Sequence, residues 1–242
     1  MDEETILSVK NLTVNFGENL VLSDVSFEVK KSETFVIIGP NGAGKTVLFR
    51  TLLGLIPHKG EINWEKGLRI GYVPQRLSVS EDFPLNVEEF LQLSPPKNPR
   101  EDIIRALNMV GFKGDEHHLE HHLLGKKIGK ISSGELQRVL IASAMLDKPD
   151  VLLFDEPTSG IDIGAEAEIY ERLEKLKSEG NYTLFLISHD LSVVHRWATN
   201  VLCLNKKALC VGSPSVVIKS DILKELYGSE KAFYKHEHKH EI

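Results

Sequence analysis

The chain has 242 residues, enough to bury a sizeable core as one domain carrying a subdomain. A formal net charge of −6 and a pI near 5.9 give no electrostatic case for generic nucleic-acid binding, and 41% hydrophobic with 26% charged residues is the composition of an ordinary soluble protein. No apolar run reaches the roughly 18 residues of a membrane span, and the acidic start Met1-Asp2-Glu3-Glu4 shows no secretory signal, so any work at a membrane is expected to use another subunit's helices. In chain order, Ile6 to Phe16 and Leu20 to Val29 alternate apolar and polar residues around Gly17-Glu18-Asn19, which predicts antiparallel strands. Phe35 to Ile38 predicts a short buried strand and Val47 to Leu53 a helix. Glu61 to Trp64 and Arg69 to Val73 predict two more short strands. From Ser78 to about Gly129 helical spacing takes over, in Asn86 to Leu93, Arg100 to Val110 and Glu116 to Leu124, broken by Pro95, Pro96 and Pro99. A helix (Gly134 to Leu146), a strand (Val151 to Phe154), a long helix (Ala165 to Ser178), a strand (Thr183 to Ile187) and a helix (Leu191 to Ala198) are expected next. Asp221 to Tyr227 predicts a last helix and Ser229 to Ile242 a polar tail. Alternating strand and helix predicts an α/β fold, with a mainly parallel sheet covered by helices.

Cys203 and Cys210 flank Asn205-Lys206-Lys207, the expected turn of a hairpin carrying two small buried thiols. Without C-x-x-C spacing they make a weak metal or redox site, and so few cysteines fit a reducing cytoplasm.

The motif with the most chemistry is Gly39-Pro40-Asn41-Gly42-Ala43-Gly44-Lys45-Thr46, a match to G-x-x-x-x-G-K-[ST] between a predicted strand and a predicted helix. Backbone N–H groups of such a loop, at a helix N-terminus, supply partial positive charge to nucleotide phosphates. Lys45 adds a full charge near the β- and γ-phosphates, and the Thr46 hydroxyl can ligate Mg²⁺. Val151 to Phe154 ends in Asp155 and Glu156. The first carboxylate is suited to holding Mg²⁺ through water and the second to polarising a water for attack on the γ-phosphate.

The ordered set of motifs resembles the nucleotide-binding subunit of ATP-binding cassette (ABC) transporters, from about Ile6 to Ser220. Ile131-Ser132-Ser133-Gly134-Glu135-Leu136-Gln137-Arg138 resembles the family's Leu-Ser-Gly-Gly-Gln signature loop and stands just before the Asp-Glu strand. Gln75 matches the Q-loop, Ser159-Gly160-Ile161-Asp162 the D-loop, His189 the switch histidine, and Phe16 the aromatic that stacks on adenine. The resemblance implies a P-loop NTPase core, an N-terminal antiparallel β subdomain, and a helical subdomain, at about 78–147, between Q-loop and signature loop. It implies a single ABC ATPase domain over 1–228 and a His-rich tail over 229–242. It also implies ATP and Mg²⁺ as cofactors. Gln75 would offer its amide oxygen to Mg²⁺ or water and report nucleotide state to whatever docks on the insertion. His189 would bond the γ-phosphate and hold Glu156 and the water in register. Asp162 would join the nucleotide site, and Ser132, Ser133, Gly134 and Glu135 would face the γ-phosphate held by a second copy. Two copies would then pair head to tail around two ATP molecules.

Two signature positions depart from the family pattern: Ser133 replaces the first glycine and Glu135 the glutamine. Ser133 adds a side chain where backbone approaches phosphate, and Glu135 adds negative charge near a triphosphate. A single cassette without a span resembles a separately encoded importer subunit at the cytoplasmic face of the membrane. Its expected partners are a permease and, indirectly, an extracytoplasmic substrate-binding protein, with no nucleic acid. The compact cassette and its His-rich end resemble zinc/manganese-type uptake subunits, with an importer of iron complexes or a non-transport ABC ATPase as alternatives. Ribosome-acting relatives carry two cassettes, and DNA-repair relatives a long coiled coil that has no counterpart here. Two histidine clusters remain: His236, His238 and His240 in the tail, and His117-His118-x-x-His121-His122, whose i, i+4 spacing suits a metal-ligand pair as well as a solvated face.

Overall fold

The computed structural model describes residues 4–93, 98–112, 114–157, 169–171, 173–174, 177, 182–217 and 226–227. It divides into two compact units, one built from Met1–Glu4, Lys30–Ser32 and Trp64–Leu186, the other from Thr5–Val29, Glu33–Asn63 and Ile187–Ile242.

The second of these units opens with β1 (Thr5–Phe16) and β2 (Asn19–Lys30), neighbours in a three-stranded sheet of order β2-β1-β4, where β4 is Lys59–Trp64. Only Gly17 and Glu18 join β1 to β2, and a two-residue link requires an antiparallel pair; Gly17 supplies the positive φ of 59° that such a turn needs. Alternation in β1 slips at its centre, where Lys10 and Asn11 are both exposed. Asn11 (φ 51°) and Asp24 (φ 53°) meet there, with Asn11 Nδ2 donating to Asp24 Oδ1 at 2.7 Å. In the same unit β3 (Thr34–Ile38) is buried throughout and pairs in parallel with β8 (Asn200–Asn205), Phe35 opposite Asn200 and Ile38 opposite Cys203. A buried continuous apolar run is what a strand covered on both faces requires. From β3 the chain turns through the glycine-rich loop into α1 (Lys45–Leu52), whose Leu48, Phe49 and Leu52 are buried.

The hairpin of β8 and β9 (Lys207–Gly212) is antiparallel and turns on Lys206, with a register shift between Cys203 and Leu204. This corrects the expectation of two thiols. Cys203 and Cys210 are cross-strand partners with Cα atoms 5.0 Å apart, and their sulfurs form a disulfide. Cys203 is buried and Cys210 only half-buried. Pairing register, which spacing alone does not reveal, is what brings the two sulfurs together.

The other unit holds β5 (Ile70–Val73), β6 (Val151–Asp155) and β7 (Thr183–Ile187) as neighbours, with β5 parallel to β6. The α/β expectation is borne out: both strand pairs β3/β8 and β5/β6 are parallel. Helices α2 (Val87–Leu91), α3 (Arg100–Met109) and α4 (Glu116–Leu119) fill the segment between β5 and β6, as expected from its spacing. The predicted helix over Glu116 to Leu124 changes character midway, since Glu120–Leu124 is a π-turn. Then α5 (Ser133–Leu146) packs on α3 and lies close over β5: a Cβ at Gly71 would stand 2.7 Å from the Ala144 carbonyl oxygen. Of the helix predicted over Ala165 to Ser178, residues 169–171, 173–174 and 177 are helical and the rest lie outside the described residues. The same holds for most of Asp221 to Tyr227 and for the tail 229–242. Among the described residues no helix is long and apolar enough to cross a membrane.

Candidate nucleotide-binding and hydrolysis site

The loop Gly39–Thr46 owes its shape to three glycines with different jobs. A Cβ at Gly39 would stand 2.0 Å from the Leu204 carbonyl oxygen, so the loop leaves β3 pressed against β8. Gly42 (φ 80°) and Gly44 (φ 96°) hold left-handed backbone that side chains rarely adopt. A Cβ at Gly44 would also meet Leu22 at 2.7 Å, whereas nothing lies within 4 Å of one at Gly42. The loop is thus buttressed below by Leu22 and Leu204 and open at Gly42, a cradle that added side chains would fill. Its far side is tied down as well, by Lys206 N–H donating to the Ala43 carbonyl at 3.0 Å. Lys45 is buried, and its Nζ donates to the Gly39 carbonyl at 2.8 Å and the Pro40 carbonyl at 3.1 Å, which holds the ammonium over the loop's concave side. Thr46, half-buried, follows in the first turn of α1, and Asn41 is exposed. These residues fit a nucleotide phosphate: open N–H-rich backbone, a helix N-terminus and one fixed cation.

Two further expected residues lie in the same unit. Phe16 closes β1 with 52% of its surface exposed, so its ring face is available for stacking rather than buried in the hairpin. His189 is exposed one residue beyond Ser188, whose N–H donates to the Ile37 carbonyl at 3.2 Å. That bond anchors the histidine beside the strand that feeds the loop. Asp190 then caps the following helix, α6 (Leu191–Trp197), by accepting from Ser192 N–H at 2.8 Å.

The other unit brings Gln75, Asp155 and Glu156 together. Asp155 ends β6 buried, and Tyr72 on the adjacent β5 donates its hydroxyl to Asp155 Oδ2 at 3.3 Å. Glu156 sits in the left-handed region with φ 47°, backbone strain of the sort that collects at functional sites. Gln75 Nε2 donates to Glu156 Oε2 at 2.7 Å. The glutamine amide therefore orients the glutamate, a role additional to the metal or water contact expected of its oxygen. A buried carboxylate beside a half-buried one is a hard oxygen set that suits Mg²⁺. Tyr72 was not anticipated; its signal was available, because a tyrosine three residues before Gln75 on an edge strand needs a partner for its hydroxyl.

The signature segment opens α5 with a capping box. Ser132 Oγ accepts from Glu135 N–H at 3.2 Å and donates to Glu135 Oε2 at 2.8 Å, while Ser132 N–H donates to the same Oε2 at 2.8 Å. The Ser132-x-x-Glu135 spacing is the sequence signature of this box, and it explains the glutamate at a position where charge near a triphosphate was expected to be unfavourable. Burial tends to raise the Glu135 carboxyl. Hydrogen bonds from the Ser132 backbone and side chain and the charges of Lys126 and Arg138 outweigh it and hold the group below its ordinary range. Ser133 is exposed, and a Cβ at Gly134 would meet nothing within 4 Å, so this helix start faces open space. Asp162 and the rest of Ser159 to Asp162 lie outside the described residues.

Glu135→Gln keeps the acceptor oxygen of the box and removes the charge, so it is expected to cost about half a kcal/mol at neutral pH. A carboxyl with a depressed folded-state pKa stabilises above its unfolded value, near 4.3, and loses that contribution as pH falls through the lower folded value. Denaturant unfolding at successively lower pH should therefore show the gap between the two proteins closing in that acid window. A gap that stays constant down to the acid limit would remove the charge from the account.

A strand, a glycine-rich turn with a buried lysine, and a helix define a protein that binds nucleotide phosphates. A family model described as ABC transporter matches residues 22–159, more than half of the chain. Zinc import ATP-binding protein ZnuC of Photorhabdus laumondii is 38% identical over 239 residues, covering 97% of this chain and 90% of that protein. The ZnuC of Yersinia enterocolitica is 39% identical over 241 residues, covering 98% and 92%. Among solved structures, an inward-facing conformation of a proposed metal-chelate type ABC transporter aligns with a TM-score of 0.79 at 26% identity, covering 93% of this chain and 89% of that one. The chain belongs to the ABC transporter family and is an ATPase whose activity is coupled to transport.

Proposed function

We propose that the chain is the ATP-hydrolysing subunit of a zinc importer, working beneath a separate membrane permease. The observation that carries the cargo is the match of 38–39% over nearly the full chain to two zinc import ATP-binding proteins. The P-loop would hold the triphosphate, with Lys45 on its β- and γ-oxygens and Phe16 against the adenine ring. Bound Mg²⁺ would neutralise phosphate charge, with Thr46, Asp155 and the Gln75 oxygen as its available oxygen donors. Glu156 would take a proton from the attacking water, positioned for this by Gln75. His189 would donate to the γ-phosphate and hold the water and Glu156 in register. Ser132, Ser133 and Gly134, at an open helix start, would meet the γ-phosphate bound by a second copy, with Asp162 alongside; Glu135 would keep that start ordered between encounters. ATP would then favour a closed head-to-tail dimer and hydrolysis an open one, a population shift that the permease reads. In this reading residues 1–228 form one ATPase domain at the cytoplasmic face, docked through the helical insertion and served by an extracytoplasmic binding protein.

Removing the gene from its own cell and following radioactive zinc uptake tests the cargo. Uptake should collapse and return with the parent gene but not with Glu156→Gln. Unchanged zinc uptake alongside lost uptake of iron complexes would sink zinc and retain the importer.

A further inference from the structure

The segment Glu116–Leu124 carries four histidines in a short amphipathic turn. Leu119, Leu123 and Leu124 are buried and anchor it, while His117, His118, His121 and His122 are all exposed. Asp115 fixes its start by accepting from His118 N–H at 2.9 Å. Side chains four apart on a helix lie one above the other. Here both such pairs are closed: the His117 and His121 ring centroids are 4.5 Å apart, and those of His118 and His122 are 4.4 Å apart.

We propose that these are two adjacent bidentate sites for a borderline divalent cation such as Zn²⁺, one on His117 and His121 and the other on His118 and His122. A tetrahedral zinc ion with Zn–N bonds of about 2.0–2.1 Å holds two nitrogens roughly 3.3 Å apart. Imidazoles that aim their nitrogens at one such ion have centroids about 5 Å apart, so rings whose centroids lie 4.4–4.5 Å apart need to part only slightly and turn to share it. Neutral imidazole selects zinc, copper or nickel over Mg²⁺ or Ca²⁺, which prefer carboxylate and carbonyl oxygen. Among the described residues no three His, Cys, Asp or Glu side chains are gathered around one point. Each pair therefore supplies two ligands and leaves the other positions to water, which makes the ion exchangeable rather than structural. The sites are distinct from the nucleotide machinery, none of whose residues lies in this segment. They place zinc-responsive ligands on the helical region of the chain, independently of what the transporter carries.

The test is a Zn²⁺ titration of the full chain against a competing chromophoric chelator, with His236, His238 and His240 of the tail changed to glutamine in every sample. Relative to that background, H117Q/H121Q and H118Q/H122Q should each lose one zinc equivalent, and the quadruple variant two, with Mg²⁺ unable to displace the ion. Circular dichroism and nucleotide binding report whether each variant folds. A quadruple variant that binds as much zinc as the background overturns the proposal. Imidazole nitrogen NMR of the unsubstituted chain gives a readout that needs no mutation: zinc must shift the ring signals of these four residues, and unmoved signals also overturn it.

Discussion

Glu156→Gln is expected to lower ATP turnover on the order of 10²- to 10⁴-fold, the range general-base catalysis supplies, while nucleotide binding survives. The substitution is close to isosteric, and the contact that orients the side chain has the right polarity to persist. Gln75 donates through Nε2 to Glu156 Oε2, and a glutamine carbonyl oxygen at position 156 accepts the same bond. The left-handed backbone, φ 47°, makes the same demand of glutamine as of glutamate, since both carry the same Cβ. What disappears is a basic oxygen able to take a proton from water. Under the proposed function binding rests on Gly39 to Thr46, where Lys45 and the cradle are untouched. Steady-state ATPase assays paired with a nucleotide titration separate the two effects. Under the proposed cycle the variant should also accumulate an ATP-dependent dimer in gel filtration, because the state that precedes hydrolysis has no exit. Turnover within a few-fold of the parent would remove Glu156 from the chemistry.

The residues behind that prediction were legible in the sequence to differing depths, for physical reasons. The P-loop was readable because its function is carried by backbone: glycine identity and spacing encode left-handed φ at Gly42 and Gly44 directly. Strands β1 and β2 were readable because one face of each is buried, which forces period-two alternation. Local capping was readable in principle, since Ser132-x-x-Glu135 and Asn86-x-x-Glu89 both carry the pattern and both form the box. Long-range partners were not. Tyr72 reaches Asp155 only because β5 lies beside β6 in a register that sets Val73 opposite Phe154. Gln75 reaches Glu156 for the same reason. Cys203 and Cys210 meet because the hairpin turns on Lys206 with a slip after Cys203. Register is a property of two segments at once, so no window on either one reveals it.

Gly39→Ala and Gly42→Ala are expected to fail differently, and the contrast separates packing from ligand contact. At Gly39 the added methyl would stand 2.0 Å from the Leu204 carbonyl oxygen. That oxygen belongs to β8, whose pairing with β3 sets Ile38 opposite Cys203, so it cannot retreat without opening the strand pair. Overpacking against backbone of this kind costs about 3 kcal/mol, and the loss should appear as a lower denaturant midpoint with or without nucleotide. At Gly42 the methyl would meet nothing within 4 Å, and the cost is that of holding alanine at φ 80°, about 1–2 kcal/mol. The space around that methyl is open, and under the proposed function a phosphate would approach the loop's backbone N–H groups there. Gly42→Ala should therefore be the milder lesion in unfolding and show a loss of nucleotide affinity larger than its stability change accounts for. Gly39→Ala should show the larger stability loss, its affinity falling only as the fold does. Equal midpoints for the two variants would mean that β3 and β8 can separate cheaply at this point and would refute the steric account.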